Sequence, residues 1–166
     1  ATNATPEQVK KIIKSSRIIG KRFRLVHAYI NRKTYEIATF RKSHSNTKKH
    51  SNPKTHSTSH SGLILRDNIF GNQKEDAVRR DFTINALYYD PTEKVIIDYH
   101  NGLKDIKRKT IKFIGDPKTR IIEDPVRMLR AIRFSNKLNF KIHPSITKLI
   151  NNLASRLADI PPARLL

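Results

Sequence analysis

Between Asp76 and Tyr88 the chain sets two arginines, Arg79 and Arg80, among two carboxylates, Asp76 and Asp81, with Asn85 shortly after. Guanidinium groups donate hydrogen bonds in a planar fork that suits phosphate and ribose oxygens. A carboxylate beside them can hold a sugar hydroxyl or a divalent cation. Together these groups describe a nucleotide pocket; the plainer alternative is a set of solvated helix-surface pairs worth little. A second cluster reads Glu123-Asp124-Pro125-Val126-Arg127 and runs on to Arg130 and Arg133. The acids accept hydrogen bonds and arginine donates them, so one helix entrance can offer both to the edge of a base. The helix N-terminus itself favours anions. For Arg130 and Arg133 an exposed helix face behind a capping aspartate serves equally well. Glu36 is the third feature, one acid in a short strand; alone, it reads as the cross-strand partner of a basic neighbour such as Arg32.

Local patterns predict the elements that must carry these groups. Thr5-Pro6-Glu7-Gln8 has the cap, the first-turn proline and the returning glutamine of a helix start, and Val9, Ile12 and Ile13 give that helix an apolar stripe. Alternation over 23–29 predicts a strand, and Asn31-Arg32-Lys33 turns the chain into a second one over 34–40. Nine Lys/Arg and no acid lie between Glu7 and Glu36, so this hairpin is strongly electropositive. Residues 41–61 are polar and basic and predict a mobile loop that follows a phosphate backbone. His44, His50, His56 and His60 fall in it as solvated histidines rather than a metal site. A helix is expected over 72–80, with Asp76 on the same face as Arg79 and Arg80. A hairpin is expected over 82–89 and 95–99, then a short helix near 103–106 and a strand over 110–114. After Gly115 the pattern turns helical. Asp124-Pro125 opens a helix to about Leu138, with Met128, Leu129, Ile132 and Leu138 facing a core. A second helix starts at Pro144, and Asp159-Ile160-Pro161-Pro162 looks like the entrance to a third.

The whole chain carries 34 Lys+Arg against 14 Asp+Glu in 166 residues, a formal charge of +20. That excess repels itself unless a polyanion neutralises it, and nucleic acid is the partner that composition favours. There is no cysteine, which excludes disulfides and cysteine-based zinc sites and is compatible with a reducing cytoplasm. No apolar run is long enough to span a bilayer, and no signal-peptide pattern opens the chain. Hydrophobic content of 37% is low for a self-sufficient globule. With a first residue other than Met and an end at a helix entrance, it predicts a fragment or a chain with partners.

Both clusters resemble motifs of the class II nucleotidyltransferases, the superfamily of bacterial poly(A) polymerases and CCA-adding enzymes. Arg79-Arg80-Asp81 is similar to the sugar-recognition motif, and Glu123-Asp124 followed by Arg127 to the nucleobase-selecting one. Thr5-Pro6-Glu7-Gln8-Val9, Gly20-Lys21-Arg22-Phe23-Arg24-Leu25 and Glu36-Ile37-Ala38-Thr39-Phe40-Arg41 fall in the family's order. So do Leu65-Arg66-Asp67-Asn68-Ile69-Phe70-Gly71 and Asp159-Ile160-Pro161-Pro162-Ala163-Arg164-Leu165, which with the polar insertion look like the poly(A) polymerase branch. The resemblance implies an α+β nucleotidyltransferase palm, a mixed sheet with flanking helices, over 1–115, and the start of an all-helical neck over 116–166. It implies template-independent transfer of AMP from ATP to RNA 3′ ends, promoting RNA decay, with two Mg2+ ions. Asp76, Arg79, Arg80, Asp81 and Asn85 would position ribose and phosphates. Asp124 and Arg127 would read the base with Glu123 orienting the arginine, and Arg130 and Arg133 would line the same nucleotide site. Glu36 and Asp81 are both candidates for a third catalytic carboxylate. Arg22, Arg24, Arg41, Lys42, Lys48 and Lys49 would guide RNA. The family's metal-binding Asp-x-Asp motif is expected ahead of Ala1, so this stretch alone is expected to be inactive. A CCA-adding enzyme and a non-catalytic RNA-binding module are the alternatives.

Overall fold

The computed structural model describes residues 1–20, 24–42, 56–58, 64–67 and 69–164, with 56–58 and 64–67 described by backbone alone. Packing divides the chain into two compact units, Ala1–Ser59 with Ile64–Arg79, and His60–Leu63 with Arg80–Leu166.

In the first unit α1 (Pro6–Ile12) starts as its sequence dictates. Thr5 accepts from Gln8 N–H while the Gln8 side chain accepts from Thr5 N–H, a reciprocal cap. Val9 is buried, but Ile12 is 79% exposed, so the expected apolar stripe narrows to one edge. The strands β1 (Ser16–Ile19), β2 (Leu25–Ile30) and β3 (Lys33–Ile37) form an antiparallel sheet with β2 in the middle. β1 carries no period long enough to announce itself in the sequence. Val26 and Ala28 point into the core at 0% exposure. Asn31 and Arg32 both take positive φ, 50° and 61°, the twist that a two-residue hairpin demands. β4 (His56–Thr58) pairs antiparallel with β5 (Ile64–Asp67), so part of the stretch expected as loop is strand. The rest of that loop, 43–55 and 59–61, lies outside the described residues, as does Arg22. α2 (Gln73–Arg79) closes the unit, with Asn72 and Glu75 exchanging side-chain to backbone hydrogen bonds at its start.

In the second unit the strand expected over 82–89 is broken in two. Phe82 makes a single bridge to Phe113, then Thr83–Asn85 curls into a 3-10 turn before β6 (Leu87–Asp90) begins. The cause is polar: the buried Thr83 hydroxyl donates to buried Asp105 at 2.7 Å, and Ala86 N–H returns to the Thr83 carbonyl. β6 pairs antiparallel with β7 (Val95–Asp98). α3 (Gly102–Lys107) and β8 (Thr110–Ile111) follow. α4 (Pro117–Glu123) has a start the sequence did signal, Asp116 capping Thr119 ahead of Pro117, but no element was expected there. Then come α5 (Val126–Leu138), β9 (Lys141–Ile142), which pairs parallel with β8, and α6 (Pro144–Leu153). After α6 the chain makes 3-10 turns over Ala154–Asp159 and Pro162–Arg164, the second at the expected entrance to a third helix.

One apolar cluster holds this unit: Phe82, Ile111 and Phe113 from the strand side with Ile121, Met128, Ala131 and Ile146 from the helices. Packing therefore runs straight through Gly115, where composition changes. Phe82 stacks on Phe113 at 5.0 Å and meets the edge of Phe134 at 5.6 Å. On α5 the core face is Met128, Ala131 and Phe134. Ile132 and Leu138, expected inside, are each 41% exposed.

Candidate nucleotide site

The aromatic cluster fixes the backbone beneath the first polar cluster. Ile114 N–H donates to the Asp81 carbonyl and Thr83 N–H to that of Lys112, so Asp81 stands at the rim of a pinned strand pair. Its carboxylate then takes three donors. Oδ1 accepts from Phe82 N–H at 2.8 Å and from Asn85 Nδ2 at 3.1 Å, and Oδ2 accepts from Arg130 Nε at 2.6 Å. Asn85, expected to touch nucleotide, thus spends its amide on Asp81. Arg130 is drawn from α5 across to that acid, its guanidinium 5.3 Å from the Phe134 ring centroid. Arg133 lies exposed further along the helix.

Arg80 donates to the Tyr88 hydroxyl and to the Asn85 carbonyl, each at 3.1 Å. Tyr88 has no charge and no motif of its own, and the sequence reading gave it no role. The adjacent arginines part company here: Arg79 belongs to the first unit and pairs with buried Asp76 at 3.1 Å. Asp76 also accepts the Arg41 N–H, which makes it a packing anchor of that unit.

At the second cluster the helices α4 and α5 meet at a sharp corner around Pro125. Glu123 Oε2 accepts from Arg127 Nη1 and from Arg120 Nη1, both at 2.8 Å. Arg127 Nη1 also donates to the Arg120 carbonyl at 2.8 Å, so one end of its fork is held by two acceptors. Glu123 is thus hydrogen-bonded to Arg127, the contact that the orienting role expected for it requires. Asp124 accepts from Arg164 Nη2 at 3.0 and 3.2 Å and from Val126 N–H at 3.3 Å. Arg120 escaped the sequence reading altogether, because a single arginine in an unrecognised short helix has no pattern around it. Burial, then repulsion from Arg127, pulls its pKa down to about 10 against the opposing pull of Glu123 and Asp81.

Glu36 sits on β3 opposite His27, with Oε1 3.5 Å from His27 Nε2 and the side chain 72% exposed. Its cross-strand neighbour is therefore a histidine and not Arg32, which occupies the turn. Of the residues expected to guide RNA, Arg24 pairs with Glu7 at 2.5 Å. Arg41 is only 7% exposed and donates to the Arg24 carbonyl, so it is a buried strut and not a presented cation. Lys42 is half-buried; Arg22, Lys48 and Lys49 lie outside the described residues. Among the described residues no three His, Cys, Asp or Glu side chains are grouped to hold a cation.

Small sheets flanked by helices, with a carboxylate–guanidinium cluster at a helix corner, are the head fold of a nucleotidyltransferase. The Bacillus stearothermophilus CCA-adding enzyme in complex with CTP matches at TM-score 0.80 and 30% identity, over 98% of this chain and 36% of that one. Residues 1–112 match the Poly A polymerase head domain. Poly(A) polymerase I of Escherichia coli is 51% identical over 99% of this chain and 35% of its own length. The CCA-adding enzyme of Bacillus licheniformis is 35% identical over 99% of this chain and 38% of its own. The chain belongs to the poly(A) polymerase head-domain family. It spans about a third of the length of the curated relatives it matches.

Proposed function

We propose that the protein adds AMP from ATP to RNA 3′ ends without a template, with the described residues binding the nucleotide. The observation that carries this is the double hold on Arg127, by Glu123 Oε2 and the Arg120 carbonyl. A guanidinium whose Nη1 is held that way keeps a fixed orientation, and Asp124 follows Glu123 directly in the chain. Adenine's pairing edge offers an amino donor to an acid and a ring-nitrogen acceptor to an arginine. The amino group shares Asp124 with Arg164, since a carboxylate has about four acceptor positions.

Arg80, braced by Tyr88 and the Asn85 carbonyl, is the candidate for phosphate or ribose oxygens, with Arg79 as its neighbour in sequence. Asp81 and Arg130 form the adjoining ribose-side pair. In the reaction the RNA 3′-hydroxyl attacks the α-phosphate and pyrophosphate leaves. The two Mg2+ ions implied by the family supply Lewis acidity in such transfers. They lack a ligand set among the described residues, and no step of these side chains runs through them. Between the two acids named for a third catalytic carboxylate, exposure favours Glu36, whose side chain is 72% exposed against 11% for Asp81. The palm and neck division near Gly115, RNA guidance by the basic segments and a cytoplasmic location belong to the same proposal. No described helix is long and apolar enough to cross a membrane.

Cytosine also carries an amino donor beside a ring acceptor, so the Asp124–Arg127 pair alone suits either base. Identity favours adenine addition: 51% to a poly(A) polymerase against 35% to a CCA-adding enzyme. The test is to offer the full-length protein each nucleoside triphosphate separately with an RNA primer. Long A-only tails are expected. A defined CCA end on tRNA overturns the assignment, and no incorporation with intact RNA binding leaves a non-catalytic RNA-binding module.

A further inference from the structure

The least conspicuous charge in the second unit touches both polar clusters. Arg120 lies on α4 at 7% exposure, and each end of its fork serves a different partner. Nη1 donates to Glu123 Oε2 at 2.8 Å, while Nη2 donates to the backbone carbonyl of Arg80, 40 residues away in sequence. Its own carbonyl receives Arg127. Two guanidinium groups converge on one carboxylate oxygen, an arrangement that is repulsive between the cations. A buried charge is costly where mere filling of space would do. What the cost obtains is geometry: a rigid planar fork sets the separation of the two groups it bonds.

We propose that Arg120 is a positioning residue for nucleotide selection, tying the backbone of the Arg80–Asp81 segment to the Glu123–Arg127 pair so that both keep one spacing. This rests on the base-reading role proposed for Asp124 and Arg127. Arg120 touches no substrate; it acts through Glu123 and through the Arg80 carbonyl. A lysine at this position keeps the charge but reaches only one of the two acceptors well, which loosens the spacing without emptying the site.

The experiment uses the full-length enzyme and compares Arg120→Lys, Glu123→Gln and Asp124→Asn for incorporation of ATP and CTP, with RNA affinity and thermal stability alongside. Arg120→Lys is expected to lower the ATP-over-CTP ratio of kcat/KM by about tenfold, mostly through KM for ATP, with RNA affinity within about twofold. Combined with Glu123→Gln the losses should be less than multiplicative, because both variants break the same Arg120–Glu123 contact. A merely structural role would lower stability or the active fraction and leave the ratio alone, and that result overturns the proposal. If Arg120→Lys does not fold, Arg120→Gln carries the test: a fall in the ratio with RNA affinity kept supports the tie, and an unchanged ratio overturns it. Should Asp124→Asn leave the ratio unchanged, the base-reading assignment falls and takes this proposal with it. A changed ratio in Asp124→Asn beside an unchanged one in Arg120→Lys sinks the positioning role alone.

Discussion

A carboxylate that accepts three hydrogen bonds from three different segments behaves as a joint. Asp81 gathers Phe82 N–H, the Asn85 amide and Arg130, and so ties a 3-10 turn to α5. Asp81→Asn keeps the size but weakens the charge-assisted bond to Arg130, since the acceptor is no longer ionised. In the full-length enzyme turnover should fall by about a hundredfold or more, with RNA affinity within about twofold. Turnover that survives the change removes Asp81 from the site. His100 makes a prediction about pH. Its Nε2 is buried and has no hydrogen-bond partner among the described residues, and burial pushes its pKa below 6.5, with Asp98 pulling it back up and Arg120 pushing it further down. The unfolded chain therefore takes up this proton more readily than the folded one. The contribution is fully present above 6.5 and is lost as pH falls through the window below it. Asp98 adds a lower window: burial raises its pKa, but the N–H groups of Leu103, Gly102 and His100 more than offset that and hold it under 3.8. Melting temperature should drop on acidification from about pH 7 to about pH 5, and His100→Gln should flatten that drop. An identical slope in the variant would refute the assignment to His100.

The elements show which of their signals are local. Reciprocal capping at Thr5 and Gln8, and Pro117 behind Asp116, are satisfied by groups within four residues, so a reader of the sequence has all the parts in view. Asp124-Pro125 also marked a helix start, but the cap falls on Pro125 with no side-chain capping bond, and Asp124 closes α4 instead of capping α5. The break at Thr83 was not legible, because its cause, Asp105, sits 22 residues downstream. Likewise Ile132 reads as core by spacing, yet Ala131 and Phe134 take that face because Phe134 finds the edge of Phe82. The site divides along the same line. Glu123 and Arg127 are four residues apart, on either side of the break at Asp124-Pro125, and could be read as a pair from the sequence, whereas the reach of Arg130 to Asp81 and of Arg120 to Arg80 depends on tertiary packing. Gly102 tests how firmly that packing is set. A Cβ there would run into the Thr83 carbonyl, a backbone atom that cannot swing aside, with Leu87 also close. Gly102→Ala should destabilise by about 1–3 kcal/mol through a shift of the 3-10 turn. Urea denaturation reads this directly, and a midpoint equal to wild type would mean that the turn yields freely.

At the scale of the whole chain, a charge of +20 has two effects of opposite sign on the response to salt. Without RNA, added salt screens self-repulsion and should raise the melting temperature. With RNA, the same salt competes with counterion release and weakens binding. Burial decides which cations can take part. Arg41 and Arg120 are enclosed and hydrogen-bonded to backbone carbonyls, and Arg24 is paired with Glu7, so these contribute little to a phosphate track. The surplus must come from cations without such partners, and the run Lys48-Lys49 in the polar segment has no acid within ten residues on either side. Changing both to alanine should weaken RNA binding and reduce the slope of log affinity against log salt by about 1.4, at about 0.7 per neutralised phosphate contact on a single strand. Adenine selectivity should be untouched, because the pair proposed to read the base, Asp124 and Arg127, lies far from this run in the chain and would sense the bound nucleotide at short range. Binding titrations at several salt concentrations separate the two effects. A slope identical to wild type would mean that this segment does not follow the phosphates, and the charge would then have to act through the hairpin of β2 and β3.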